Sequence, residues 1–375
     1  MKKIFVLTGE PSGDKLASKV IAQLQNSRSD LEYLSVGGEH LKSLGIKSIY
    51  DLKEITYLGF TRVLLNVFKI KSKINETVNE VIKFKPDILL TIDSPDFTLR
   101  VAKKVKRRDP SIKTIHFVAP QVWVWRERRL KQLKLFLDHV LLLFPFEKEY
   151  FDKEGIQSTI TGHPLLEEQE KSKVDTSQII KDNKKIFSIY PGSRLSEINI
   201  LTPILFEFVK KMNDKYKDLF FVFHSTSEYV QLMKNLLLKE GLKNCDAIAD
   251  EKTKSHILKS SMFAVAKSGT ISLEICNNKI PSIIIYKMGM INFFIVKMLA
   301  KVKFANIINI AANEEIIPEL LQSNCNSTNI YNIVDKLLND SDLLKKQVAK
   351  SQEVINNFKT ERSSQIASLA LENYL

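Results

Sequence analysis

The sequence predicts an α/β fold of two domains, each a parallel sheet covered by helices, with a ligand cleft between them. Three observations carry that expectation. Short apolar runs alternate with longer amphipathic segments along nearly the whole chain, as buried strands alternate with covering helices. The series breaks once, at residues 167–185, where EEQEKSKVDTSQIIKDNKK has no core-forming period and reads as a linker. Finally, 375 residues are long for one core and natural for two.

In the first series strands are predicted at residues 3–8, 33–36, 88–92, 114–118, 139–143 and 158–161, with helices at 14–25, 61–84 and 97–108. The second series gives strands at 186–190, 220–224, 264–266 and 282–286. The expected division is an N-terminal domain over 1–166, a linker over 167–185, a C-terminal domain over 186–345 and a helical segment over 346–375. Parallel sheets place ligand sites at the carboxyl ends of their strands, so the turns after those strands are where chemistry is expected.

Composition narrows the function classes. A hydrophobic fraction of 44% and a charged fraction of 26% are those of a folded protein. No run reaches the roughly eighteen apolar residues of a membrane span. The start, MKKIFVLTGE, is apolar only over residues 4–7, a buried first strand rather than a signal peptide, so a cytoplasmic location is expected. Cys245, Cys276 and Cys325 form no CxxC and have no paired histidines, which argues against a metal or disulfide framework. The net charge of +13 points to an anionic partner. Arginine supplies only 10 of the 56 basic residues and nucleic-acid motifs are lacking, so a membrane surface or phosphorylated ligand ranks above nucleic acid.

Four turns carry candidate chemistry. GEPSGD, residues 9–14, follows the first strand; its glycines allow close backbone approach, and Glu10 and Ser12 stand where a helix start could receive an anion or a sugar hydroxyl. A tight turn capped by Ser12 or Asp14 is the equal alternative. IDSPDF, residues 92–97, puts two carboxylates after a very apolar strand. Asp93 there is partly desolvated, which raises a carboxylate toward a working general base. Asp96 reads as the cap of the helix beginning near Phe97. PGSR, residues 191–194, offers backbone amides, Ser193 and Arg194 to a diphosphate, with Glu197 just beyond. SGTISLE, residues 268–274, follows another apolar strand. Ser268, Gly269 and Thr270 suit phosphate, and Glu274, four residues after Thr270, shares its helix face and suits ribose hydroxyls. His163, in GHP, is a secondary candidate that reads equally well as structural.

Residues 60–74 and 288–304 mix aromatic and aliphatic residues with lysines, as helices lying on a membrane surface do, although helices packed on a sheet look similar. Trp123 and Trp125 with Arg126, Arg128 and Arg129 form a basic-aromatic patch, fit for an anionic amphiphile or simply a core tryptophan beside a solvated turn.

Taken in order, GEPSGD, IDSPDF, PQVWVWRERR, FPFE, GHP, PGSRLSEI, SGTISLE and IPELLQ resemble the lipid-A-disaccharide synthase family from near residue 9 to near residue 322. The resemblance implies two Rossmann-like domains facing each other, the GT-B arrangement, and an inverting transfer that needs no metal or other cofactor. It implies UDP-2,3-diacylglucosamine as donor, 2,3-diacylglucosamine 1-phosphate as acceptor, and peripheral contact with the cytoplasmic face of an anionic inner membrane. A homodimer is compatible with it, and nucleic acid has no place in it. By motif, Asp93 matches the base on the acceptor's 6-hydroxyl, Arg194 the arginine at the UDP diphosphate, Glu274 the glutamate near the ribose, and Asn309 an asparagine important for activity. Ile308 stands where the family has a proline, Pro11 replaces a small residue, and Gly38-Glu39-His40 replaces Gly-Pro-Arg. The nearest rivals are a UDP-N-acetylglucosamine 2-epimerase or another glycosyltransferase on the same scaffold. A rival of another class, an inactive membrane- or nucleic-acid-binding protein, leaves Asp93, Arg194 and Glu274 without a reason to stand at strand ends.

Overall fold

Strand β1 (Lys2–Thr8) is fully buried from Ile4 to Thr8, which a strand can be only at the centre of a sheet covered on both faces. In the computed structural model it pairs in parallel with β2 (Leu31–Val36) on one side and β3 (Ile88–Ile92) on the other. The sheet continues through β4 (Lys113–Phe117), β5 (His139–Leu142) and β6 (Ser158–Ile160), in the order β2-β1-β3-β4-β5-β6. The structure describes residues 1–55, 67–120, 128–167, 184–289, 293, 303–360 and 362–375.

A second sheet holds β7 (Lys185–Tyr190), β8 (Leu219–His224), β9 (Cys245–Ile248), β10 (Ser261–Lys267), β11 (Ser282–Tyr286) and β12 (Glu319–Leu321). Its order, β12-β11-β10-β7-β8-β9, is the doubly wound Rossmann order, and all of its pairings are parallel. Its core is aromatic: Phe187 packs within 5.8 Å, centroid to centroid, of Phe208, Phe221 and Phe263. Ten strands match the sequence expectation to within a few residues. The two it lacked, β9 and β12, are short edge strands. One opens on Cys245-Asp246 and the other has three residues, too little apolar sequence to signal a strand.

The chain divides into two compact units, Met1–Glu167 with Phe358–Leu375, and Glu168–Asn357. Residues from Phe358 on thus belong to the first unit. There Phe358 packs on Phe144 and Phe146, and Thr360 Oγ1 and Ser363 Oγ donate to the carbonyls of Thr161 and Gly162 at 2.7 and 2.9 Å. A Cβ on Gly162, which has φ +77°, would overlap the Thr360 side chain. Among the described residues no helix is long and apolar enough to cross a membrane. Of the segments expected at a membrane surface, residues 60–66, 290–292 and 294–302 lie outside the described residues. So do Trp123, Trp125 and Arg126, and the side chains of Arg128 and Arg129. Phe68, in the helix Val67–Phe84, is almost wholly exposed.

Candidate active site

In an open parallel sheet the crevice lies where the strand order reverses, between strands whose connections run to opposite faces. In the first sheet that point falls between β1 and β3, and in the second between β7 and β10. The four motif turns follow these four strands. Sheet topology therefore gathers GEPSGD with IDSPDF in one unit and PGSR with SGTISLE in the other.

In the first unit the backbone after β3 turns sharply. Asp93 and Ser94 are both left-handed, with φ of 52° and 44°. On the neighbouring strand's end Val118, β-branched, has φ 74°, an uncommon strain for such a residue. Asp93 N donates to Phe117 O (3.0 Å), and Thr98 Oγ1 donates to Asp93 O (2.6 Å), so the elbow is tied on both sides. A Cβ on Gly9 would overlap the Ser94 side chain, so the first motif's glycine makes room for the second motif's elbow. Asp93 is half-buried, and burial pushes its carboxyl above the ordinary value against the opposing hydrogen bond from Ser94 N (2.7 Å).

Two helix-cap readings change. The helix after the elbow starts at Pro95, so Asp96 is an exposed first-turn residue and not its cap. Likewise the helix Pro11–Ser27 starts before Ser12 and Asp14. Asp14 is instead buried and accepts from Gly38 N (2.7 Å), His40 N (2.9 Å) and Leu41 N (3.4 Å), holding the turn after β2. Glu10 and Ser12 stand at that helix start, Glu10 half-buried and Ser12 exposed. His163 has Nδ1 occupied by Leu165 N (3.2 Å), and burial lowers its pKa to about 4, with Lys19 adding to the shift; it is a neutral structural ring at neutral pH.

In the second unit the turn after β7 presents Ser193 and Arg194 to solvent. Glu197, expected as a ligand contact, points back into that turn and accepts from Ser193 N (3.1 Å) and Arg194 N (3.4 Å). Gly192 (φ +109°) is required there, since a Cβ would overlap the Glu197 carboxylate. After β10, Gly269 and Thr270 are exposed, and Ser268 Oγ donates to Ala305 O (2.6 Å), leaving its lone pairs to accept. Glu274 is half-buried and near Tyr190 at the end of β7, whose phenol is raised well above its ordinary value by burial first and by Glu274 second.

Asn309 is wholly buried, and its side chain is spent internally. Its Nδ2 donates to Ile317 O (2.7 Å) and Glu319 Oε1 (2.8 Å), while Oδ1 accepts from Ile316 N and Ile317 N, both at 2.9 Å. Glu319, which no local sequence signal marks, also accepts from Ala305 N (2.7 Å) and Asn306 N (2.9 Å). This network ties the residues before β12 to Ala305, and through Ala305 to Ser268. The Asn309 side chain thus holds residues 316–319 in place. Asn309→Ala strands four partners at once and is expected to cost roughly 2–4 kcal/mol, read as a lower urea midpoint along with any loss of activity. Unchanged stability with lost activity would instead place Asn309 against substrate.

Two doubly wound Rossmann-like sheets, each with glycine-bearing turns at its switch point, are the architecture of the GT-B fold class. The profile of the family described as lipid-A-disaccharide synthetase matches residues 4–373, and the chain belongs to that family of glycosyltransferases, which make the lipid A disaccharide. It is 36% identical over 369 residues to the lipid-A-disaccharide synthase of Rickettsia typhi, covering 97% of this chain and 96% of the relative. Identity to the Rickettsia prowazekii enzyme of that name is 35%, with the same coverage. Among solved structures, UDP-GlcNAc 2-epimerase from Neisseria meningitidis bound to UDP-GlcNAc superposes with a TM-score of 0.68 at 15% identity, over 100% of both chains. The spinosyn rhamnosyltransferase SpnG complexed with thymidine diphosphate gives 0.60 at 12%, also over 100% of both. At such identities these two share the fold.

Proposed function

We propose that the protein condenses UDP-2,3-diacylglucosamine with 2,3-diacylglucosamine 1-phosphate, yielding the β-1,6-linked tetraacyl disaccharide 1-phosphate and UDP. The observation that carries this reading is the strained, half-buried elbow holding Asp93 at the first sheet's switch point. A carboxylate with a raised pKa there suits a general base. Asp93 takes the proton of the acceptor's 6-hydroxyl. The oxygen attacks the donor's anomeric carbon, the bond to the diphosphate oxygen breaks, and the configuration inverts. In the second unit Arg194, Ser193 and the turn amides hold the diphosphate and stabilise departing UDP, with Ser268, Gly269 and Thr270 as further phosphate contacts and Glu274 at the ribose. Glu10 and Ser12 contact the acceptor sugar. Peripheral contact with the cytoplasmic face of an anionic inner membrane belongs to the same reading, because both substrates carry acyl chains and the chain's net charge is +13.

The test is a product assay in detergent with both lipid substrates and EDTA present. Disaccharide 1-phosphate and stoichiometric UDP are expected. If UDP-N-acetylglucosamine is epimerised and no disaccharide forms, the substrate assignment fails.

A further inference from the structure

One ion pair in the second unit joins the turn after β7 to the strand β10. Lys267, the last residue of β10, brings Nζ to 2.9 Å from Glu197 Oε1. Their side chains are 19% and 15% exposed, whereas that of Arg194 is 56% exposed and reaches the same oxygen only at 3.9 Å. The other carboxylate oxygen is committed to the turn, accepting from Ser193 N and Arg194 N and filling the space beside Gly192. Lys267 Nζ also lies 5.3 Å from the Tyr286 ring centroid, so the ammonium is held between an aromatic face and the carboxylate.

This arrangement sets a charge problem. Glu197 gives the turn its shape, yet a mostly buried carboxylate beside a diphosphate repels it at about the range at which Arg194 attracts it. Arg194 and Glu197 alone sum to zero, and a site for a dianion needs a surplus of positive charge. Lys267 supplies that surplus and spares Glu197 from being buried unpaired, the costly case for a desolvated carboxylate.

We infer that Lys267 is the counter-ion that lets Glu197 shape the arginine turn without repelling the donor's diphosphate. Lys267 is thus a positioning residue for the donor. The inference rests on the proposed diphosphate role of that turn.

The experiment is calorimetric titration of the full chain with UDP. Lys267→Met should weaken binding about tenfold, and Lys267→Arg should bind like the parent. Glu197→Gln keeps an acceptor for the turn amides but removes the repulsion, so it should bind UDP several-fold more tightly. The double variant Lys267→Met with Glu197→Gln should regain most of what the single lysine variant loses. Steady-state kinetics should show the Lys267→Met effect in KM for the donor, with KM for the acceptor unchanged. A purely structural clamp predicts the opposite for Glu197→Gln, namely weaker binding, and no recovery in the double variant; either result overturns the inference. Should Lys267→Met fail to fold, the sign of the Glu197→Gln effect still decides. If Arg194→Ala binds UDP normally, the reading of the turn itself falls. If Arg194→Ala is weak while Lys267→Met is unaffected, only the counter-ion role falls.

Discussion

Asp93→Asn is expected to lower kcat by roughly a hundred- to ten-thousandfold, the usual worth of a positioned general base, with UDP affinity unchanged. Asparagine is the informative replacement because it tolerates the left-handed backbone at this position, where alanine adds strain of its own. The pH dependence follows from the direction of the shift. Burial raises Asp93 above 3.8, so the acid limb of the rate profile lies higher than an ordinary carboxylate would put it, and activity falls as pH drops through that raised value. Stability runs the other way. The native state keeps this proton where the unfolded chain has released it, so the group's stabilising share is present below 3.8 and lost as pH rises through the folded value. At neutral pH the ionised carboxylate is a cost, and Asp93→Asn should melt at the same temperature or slightly higher. A nearly active variant would refute the base assignment. Loss of activity together with a lower melting temperature would mean that the elbow had collapsed instead.

The fold was legible because buried parallel strands must be nearly continuous apolar runs, and Ile88–Ile92 could be little else. The turns after those strands were legible for the same reason. What single-sequence reading could not supply were partnerships across the chain. Gly9 is needed because of Ser94, 85 positions on, and Asp14 serves amides that follow β2. Glu197 looked like a ligand contact because its neighbours are glycine, serine and arginine, yet its carboxylate closes the turn from within. In the sequence Lys267 is one of many lysines, and Glu319 one polar residue of IPELLQ. Each gains its role only when the sheet sets β10 beside β7 or when Asn309 brings residues 305–319 together.

Arg194→Ala should separate from Asp93→Asn in both binding and stability. The Arg194 side chain is more than half exposed and its pairing with Glu197 is long, so the fold loses little when it is removed and the melting temperature should stay close to the parent's. Its effect falls on the ligand. A hydrogen bond to a charged group is worth about 1.5–3 kcal/mol, which corresponds to UDP binding weakened by about one to two factors of ten. Turnover should fall as well, since charge grows on the diphosphate as the glycosidic bond breaks and the guanidinium meets it there. Arg194→Lys is expected to recover only part of the binding, because an ammonium is a point charge and cannot grip two phosphate oxygens in one plane. Equilibrium titration with UDP beside single-turnover rates distinguishes the two contributions. Unchanged UDP affinity in Arg194→Ala would remove the diphosphate from this turn. Weakened affinity at an unaltered single-turnover rate would leave Arg194 as a binding residue with no part in the departure of UDP.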